Sequence, residues 1–252
     1  MDDRITYAVY TDIGSRRVNE DSFGTAEKDG RHCFVLCDGL GGHGMGDAAS
    51  QLAVQVCLAQ FENAQDLEIY PDEALQASQD ILLAEQAARG AQQKMKTTGV
   101  VLATDEENAY IGHVGDSRLY IFEKNRVKAR TLDHSIPQML VLTGEIKESE
   151  IRHHPERNML LRVLGVPWEE PMYERMETVP LSRCQAFLLC SDGFWELITE
   201  KEMCSLLKSS GNVQEWLSRM AEVVRENGRG QDMDNNTAVA VWVKNRKKGL
   251  FW

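Results

Sequence analysis

Two apolar segments of this chain run straight into the same dipeptide. Phe34-Val35-Leu36-Cys37 leads into Asp38-Gly39, and Phe187-Leu188-Leu189-Cys190-Ser191 leads into Asp192-Gly193. Such unbroken apolar runs suit buried strands, and the glycine lets the backbone turn tightly beside an acid fixed at the strand tip. A single Asp-Gly after a strand is ordinarily just a turn. Here the pattern recurs: Tyr110-Ile111-Gly112-His113-Val114-Gly115 runs into Asp116, and Asp234-Asn235-Asn236-Thr237 opens the last apolar segment.

Strands are predicted over 5–10, 33–37, 99–104, 109–114, 119–122, 186–190 and 237–243. Two long helices fall between the second and third of these. One covers about 47–61, and the other starts near Pro71 with an apolar stripe of Ala74, Ala77, Ile81, Ala84 and Ala88. Thr199 with Glu202 forms a capping box and Asn212 with Glu215 a weaker one, so a second helix pair precedes the final strand. Strands arrive in hairpin-like runs and helices in pairs, which argues for a layered α+β domain over a doubly wound parallel sheet.

Length alone does not choose between one domain and two, but 42% hydrophobic residues supply a sizeable core. With no repeat or low-complexity linker, residues 1–243 read as one domain with a basic and apolar tail over 244–252. The polar stretch 133–164 reads as an insert of the kind that forms lids or recognition flaps. The formal charge of -11 disfavours nucleic acid as the main ligand. No apolar run is long enough to span a bilayer and the N-terminus lacks a secretory pattern, so a cytoplasmic protein is expected. The six cysteines show no metal-binding spacing and read as reduced core residues.

Several acids converging in one cleft are costly unless a cation neutralises them, and an all-oxygen donor set suits Mg²⁺ or Mn²⁺ rather than zinc. The ordered motifs narrow this further. They are Arg16-Arg17-Val18-Asn19-Glu20-Asp21, Asp38-Gly39-Leu40-Gly41-Gly42-His43, Gly115-Asp116-Ser117-Arg118, Leu132-Asp133-His134-Ser135, Leu161-Arg162-Val163-Leu164-Gly165, Ser191-Asp192-Gly193 and Asp234-Asn235-Asn236-Thr237. In this order they resemble the bacterial branch of the type 2C, or PPM, metal-dependent protein serine/threonine phosphatases over nearly the whole chain.

The resemblance implies a four-layer α/β/β/α sandwich of two packed antiparallel sheets flanked by helix pairs. It implies that Asp38 bridges two Mn²⁺ or Mg²⁺ ions and that the Gly39 carbonyl binds one of them. Asp192 and Asp234 would complete one shell, Glu20 would serve the other ion, and Asp116 with Asp192 would hold a third, weaker one. Arg16 would grip the phosphoryl group, while Arg17 reads as a surface charge. The catalytic set is then Arg16, Asp38, Asp116 and Asp192, acting on phosphoserine and phosphothreonine in proteins by in-line attack of a metal-bridging water. The implied partners are phosphoprotein substrates and a bacterial serine/threonine kinase, with the chain acting as a monomer.

Two positions depart from the pattern. Leu40 stands where eukaryotic relatives carry a histidine that serves as general acid, and His43 reads as structural rather than as its replacement. Glu196 stands where many relatives have an aspartate on the third ion. His134, His153 and His154 are expected to have packing or surface roles.

Overall fold

The computed structural model describes residues 4–41 and 44–244. His43 and tail residues 245–252 lie outside them, so the expectations for both stay as sequence readings. The chain runs β1 (Ile5–Asp12), β2 (Asp21–Lys28), β3 (Arg31–Asp38), α1 (Gly46–Asn63), α2 (Tyr70–Arg89), β4 (Gly99–Thr104) and β5 (Asn108–Val114). It continues through β6 (Arg118–Glu123), β7 (Arg126–Arg130), α3 (Ile136–Leu142), a 3₁₀ helix (Glu148–His153), β8 (Glu174–Arg175) and β9 (Val179–Pro180). Last come β10 (Ala186–Cys190), α4 (Asp192–Trp195), α5 (Glu200–Ser209), α6 (Val213–Asn227) and β11 (Asn236–Val243).

One sheet has the order β1-β11-β10-β6-β7 and the other β2-β3-β4-β5-β8, with β9 also paired to β5; every pairing is antiparallel. Successive side chains of a strand point to opposite faces, and here both faces are covered. In β3, Phe34 and Leu36 meet Phe187, Leu189, Val239 and Val241 between the sheets. Cys33, Val35 and Cys37 face Ala49, Ala53, Tyr70 and Leu75 of α1 and α2 instead. In β10, Leu188 and Cys190 turn outward to Trp216 and Met220 of α6. This double burial explains why these strands read as continuous apolar runs, and the result is the expected α+β sandwich.

The apolar stripe drawn for α2 needs correction. Ile81 is 44% exposed, and the buried face carries Ala74, Leu75, Ser78, Gln79, Leu82 and Gln86. The glutamines are inside because they satisfy loop backbone. Gln79 accepts from the Gly165 N–H at 2.7 Å and donates to the Val166 carbonyl at 2.7 Å. Gln86 Nε2 donates to the Met95 and Gly165 carbonyls at 2.8 and 2.7 Å.

Strand β2 was not among the predicted strands. Its sequence is mostly polar, and at Gly24 a side chain would meet Val54 and Leu58 of α1. The insert over 133–164 is tied to the body at several points. Leu161 N–H donates to the His134 carbonyl at 2.8 Å, and Leu164 exchanges backbone hydrogen bonds with Thr97 at 2.9 and 3.3 Å. Among the described residues no helix is long and apolar enough to cross a membrane.

Candidate metal centre

The strand-end acids come from both sheets. Asp38 ends β3 and Asp116 lies just past β5, while Asp192 follows β10 and Asp234 precedes β11. All four line one cavity of about 540 Å³, together with Arg16, Glu20 and Gly39. Backbone pairing fixes the tips. Asp38 N–H donates to Thr98 Oγ1 at 2.9 Å, the Asp38 carbonyl accepts from Thr98 N–H at 2.8 Å, and Ser191 N–H donates to the Thr237 carbonyl at 3.0 Å.

The glycines after Asp38 and Asp192 are demanded by close approach. A Cβ at Gly39 would overlap the Gly46 and Glu20 carbonyls, and one at Gly193 would overlap the Asn235 carbonyl. Absence of a side chain lets α1 and the 234–236 turn close against the acids.

Arg16 and Glu20 sit on the loop between β1 and β2. Asn235 holds that loop: its Oδ1 accepts from Glu20 N–H at 2.8 Å and its Nδ2 donates to the Ile13 and Val18 carbonyls at 2.9 and 3.1 Å. Arg16 lays Nε and Nη2 on the two carboxylate oxygens of Asp234, each at 2.9 Å. Arg17 also reaches the cavity rim.

Burial dominates the electrostatics. It pushes the Asp38 carboxyl well above its usual range, with Asp21, Asp192, Asp116 and Asp234 adding repulsion. Asp192 is raised in the same way by burial and then by Asp116 and Glu196. Burial followed by Asp133 carries Asp116 up to about 7. Glu20 is raised by burial and by Asp47. Acids kept from water and close to one another need positive charge to ionise together. Each donor is a carboxylate or carbonyl oxygen, the set that hard divalent cations take. The residues therefore fit the ions that the sequence implies.

Asp21 is a buried acid beside the site whose role the sequence reading left open. It pairs with Asp38 across β2 and β3, accepts from Ser191 Oγ at 2.8 Å, and leaves its buried Oδ1 without a partner. Burial carries it up to about 6. Asn235 is a second residue whose role was left open. Both stand inside quoted motifs, yet their neighbours give no sign that one is buried beside the acids and the other braces a loop. Asn158 and Leu160 of the insert also line the cavity, which no local signal marks.

Glu196 is held by Arg157 of the insert, with Arg157 Nε 3.0 Å from the carboxylate. The backbone around Asp116 is clamped from two sides. Trp195 Nε1 donates to the Asp116 carbonyl at 3.0 Å, and His134 Nδ1 accepts from Gly115 N–H at 3.2 Å. His134 stacks on His113 with ring centroids 4.7 Å apart, and Glu174 approaches its Nε2 at 3.4 Å. Because Nδ1 accepts from Gly115, a neutral His134 carries its proton on Nε2 and offers no lone pair to a cation there. His134 thus serves packing, and His153 is exposed.

Known proteins resemble the chain in sequence and in fold. The family profile of Protein phosphatase 2C matches residues 10–238. The serine/threonine phosphatase stp of Listeria welshimeri is 34% identical over 251 residues, covering 95% of this chain and 96% of that protein. The crystal structure of serine/threonine phosphatase Stp1 from Staphylococcus aureus superposes with a TM-score of 0.85 at 27% identity, covering 95% of each chain. The catalytic domain of the serine/threonine protein phosphatase PstP, solved in complex with two manganese ions, superposes with a TM-score of 0.78 at 27% identity, covering 95% of this chain and 98% of that one. With most of its length matched in sequence and in fold, the chain belongs to the metal-dependent protein phosphatase 2C family.

Proposed function

We propose that this chain dephosphorylates phosphoserine and phosphothreonine in cytoplasmic proteins, opposing a serine/threonine kinase. One observation carries the reading: four acids from the ends of two sheets line a single cavity with an arginine at its rim. Asp38, Asp192, Asp234, Glu20 and the Gly39 carbonyl would hold two Mn²⁺ or Mg²⁺ ions, and Asp116 with Asp192 a third, weaker one. When bound, a pair of such ions lowers the pKa of water and offsets charge building on the phosphoryl oxygens.

The protein's own groups supply the rest. Arg16 keeps its charge at any working pH, and its grip on Asp234 leaves the Nη1 side of the fork for a phosphoryl oxygen. Asn235 sets the loop that carries Arg16 and Glu20, so substrate grip and cation binding share one scaffold. Asp116 lines the same cavity, and as a holder of the third ion it would keep water beside the leaving oxygen that needs a proton. Leu40 cannot serve as an acid, and water on the Asp116 side of the cleft is the proposed proton source in its place.

The decisive assay compares an aryl phosphate and a phosphothreonine peptide, with and without Mn²⁺, for the native chain and Asp192→Asn. Turnover of both substrates should require Mn²⁺, and the variant should lose about 10²-fold or more, since it removes a charged ligand worth several kcal/mol. Turnover in chelator, or an unimpaired variant, would refute the reading.

A further inference from the structure

A second cavity of about 600 Å³ opens beside the catalytic one. The two share Leu40, Gly41, Asn158 and Leu160, so they form one continuous depression. Beyond the shared residues the lining turns apolar, with Met159, Leu161 and Met172. Met159 and Leu161 are 54% and 47% exposed, and they line one groove together rather than lying scattered over the surface.

The insert holds this lining in place. Ile136 N–H donates to the Met159 carbonyl at 3.0 Å and Leu161 N–H to the His134 carbonyl at 2.8 Å. The groove is therefore preformed along one side, while the methionines can adjust to different occupants.

Its charge is one-sided. Among the described residues, Lys96 and Arg162 are the charged ones lining it, and no carboxylate does. Arg162 is already paired with Glu174 at 2.8 Å, whereas Lys96 Nζ meets Gln93 Oε1 at 3.4 Å. The depression on the other side of Asn158 differs in kind, being lined by Arg157, Glu196 and Asp232.

A polypeptide that presents a phosphorylated side chain to Arg16 can run out of the catalytic cavity along either of these flanks. We propose that the groove at Met159, Leu161 and Met172 binds apolar side chains next to the phosphorylated residue, so that this chain selects phosphoprotein segments with apolar, non-basic flanks. The proposal rests on the phosphatase reading and adds the substrate class to it.

The test uses the full chain with Mn²⁺ and two phosphothreonine peptides that differ only in their flanks, leucine and methionine in one and serine and glycine in the other. Each kcat/KM is divided by that of an aryl phosphate, which is too small to reach the groove, measured on the same preparation. Burial of one or two apolar side chains should favour the first peptide by about tenfold. Leu161→Ser and Met159→Ser, both at exposed positions, should each cut that preference to about threefold or less. Equal turnover of the two peptides by the native chain would overturn the proposal, as would an undiminished preference in both variants. Failure to hydrolyse even the aryl phosphate would instead bring down the phosphatase reading itself.

Discussion

Arg16 and Asp234 form a two-pronged ion pair, Nε to Oδ1 and Nη2 to Oδ2, both at 2.9 Å. The same aspartate is a proposed cation ligand and the same arginine the proposed phosphate grip, so each role draws on a shared partner. Both side chains are well exposed, at 46% and 40%, which limits the pair to about 0–1 kcal/mol. Arg16→Ala should consequently tighten Mn²⁺ binding by no more than about fivefold while lowering kcat/KM for phosphate esters. Calorimetric titration of Mn²⁺ beside steady-state kinetics separates the two effects. Weaker Mn²⁺ binding in the variant would show that the arginine supports the cation site rather than competing for it.

Asp116 offers a test based on leaving groups. A serine or threonine alkoxide is a poor leaving group and needs a proton, whereas an aryl oxide hardly does. Asp116→Ala should thus lose about 10²-fold or more on a phosphopeptide and under tenfold on an aryl phosphate. Parallel kcat measurements on the two substrates decide the point. Equal losses would assign Asp116 to cation binding alone.

How far these arguments could be reached from sequence depended on how local each signal was. Asp38 and Asp192 could be found because a buried strand, an acid and a required glycine are adjacent in the chain. The seven strands predicted are β1, β3, β4, β5, β6, β10 and β11, and most of them are buried on both faces, which makes them largely apolar. Strand β2 was missed because it is mostly polar, although it pairs with β3 along its whole length. Gln79 and Gln86 misled the reading of α2, because their partners lie 86 and 79 residues away in sequence. Nothing near Asn158 or Leu161 marks them as lining the catalytic cavity and the adjoining groove, respectively; only the return of the insert over the body places them there.

The Arg118–Asp133 pair is the most buried ion pair among the described residues. Arg118 donates from Nε and Nη2 to the carboxylate at 2.8 and 2.6 Å, and its guanidinium lies 3.4 Å over the Trp195 ring. Trp195 in turn donates to the Asp116 carbonyl, so the pair braces one edge of the catalytic cavity. Removing the Asp133 charge leaves the buried guanidinium with the more exposed Glu200, 3.9 Å away, in place of its two-pronged partner. Asp133→Asn keeps the shape but not the charge and should cost about 3–5 kcal/mol in denaturant unfolding. Midpoint and slope from urea titration check this, and a loss below about 1 kcal/mol would mean that water reaches the guanidinium.

His134 links stability to acidity in a direction that can be worked out. Its imidazole is lowered from 6.5 to about 4, chiefly by burial and next by His113, with Glu174 partly opposing and Arg162 adding to the effect. His113, also buried, is lowered too. Because the folded value lies below the unfolded one, the unfolded chain binds the proton first as pH falls. The stability that neutral His134 contributes is fully present above about pH 6.5 and is lost progressively down to about pH 4. A depression of this size amounts to about 3 kcal/mol across that window. His134→Asn would keep an acceptor for Gly115 N–H while removing the titration. Urea unfolding of native chain and variant, both in chelator, should show the native chain's advantage shrinking by about that amount between pH 7.5 and pH 4. A gap that stays constant over this range would mean that the stacked imidazole is protonated as easily in the fold as in the open chain.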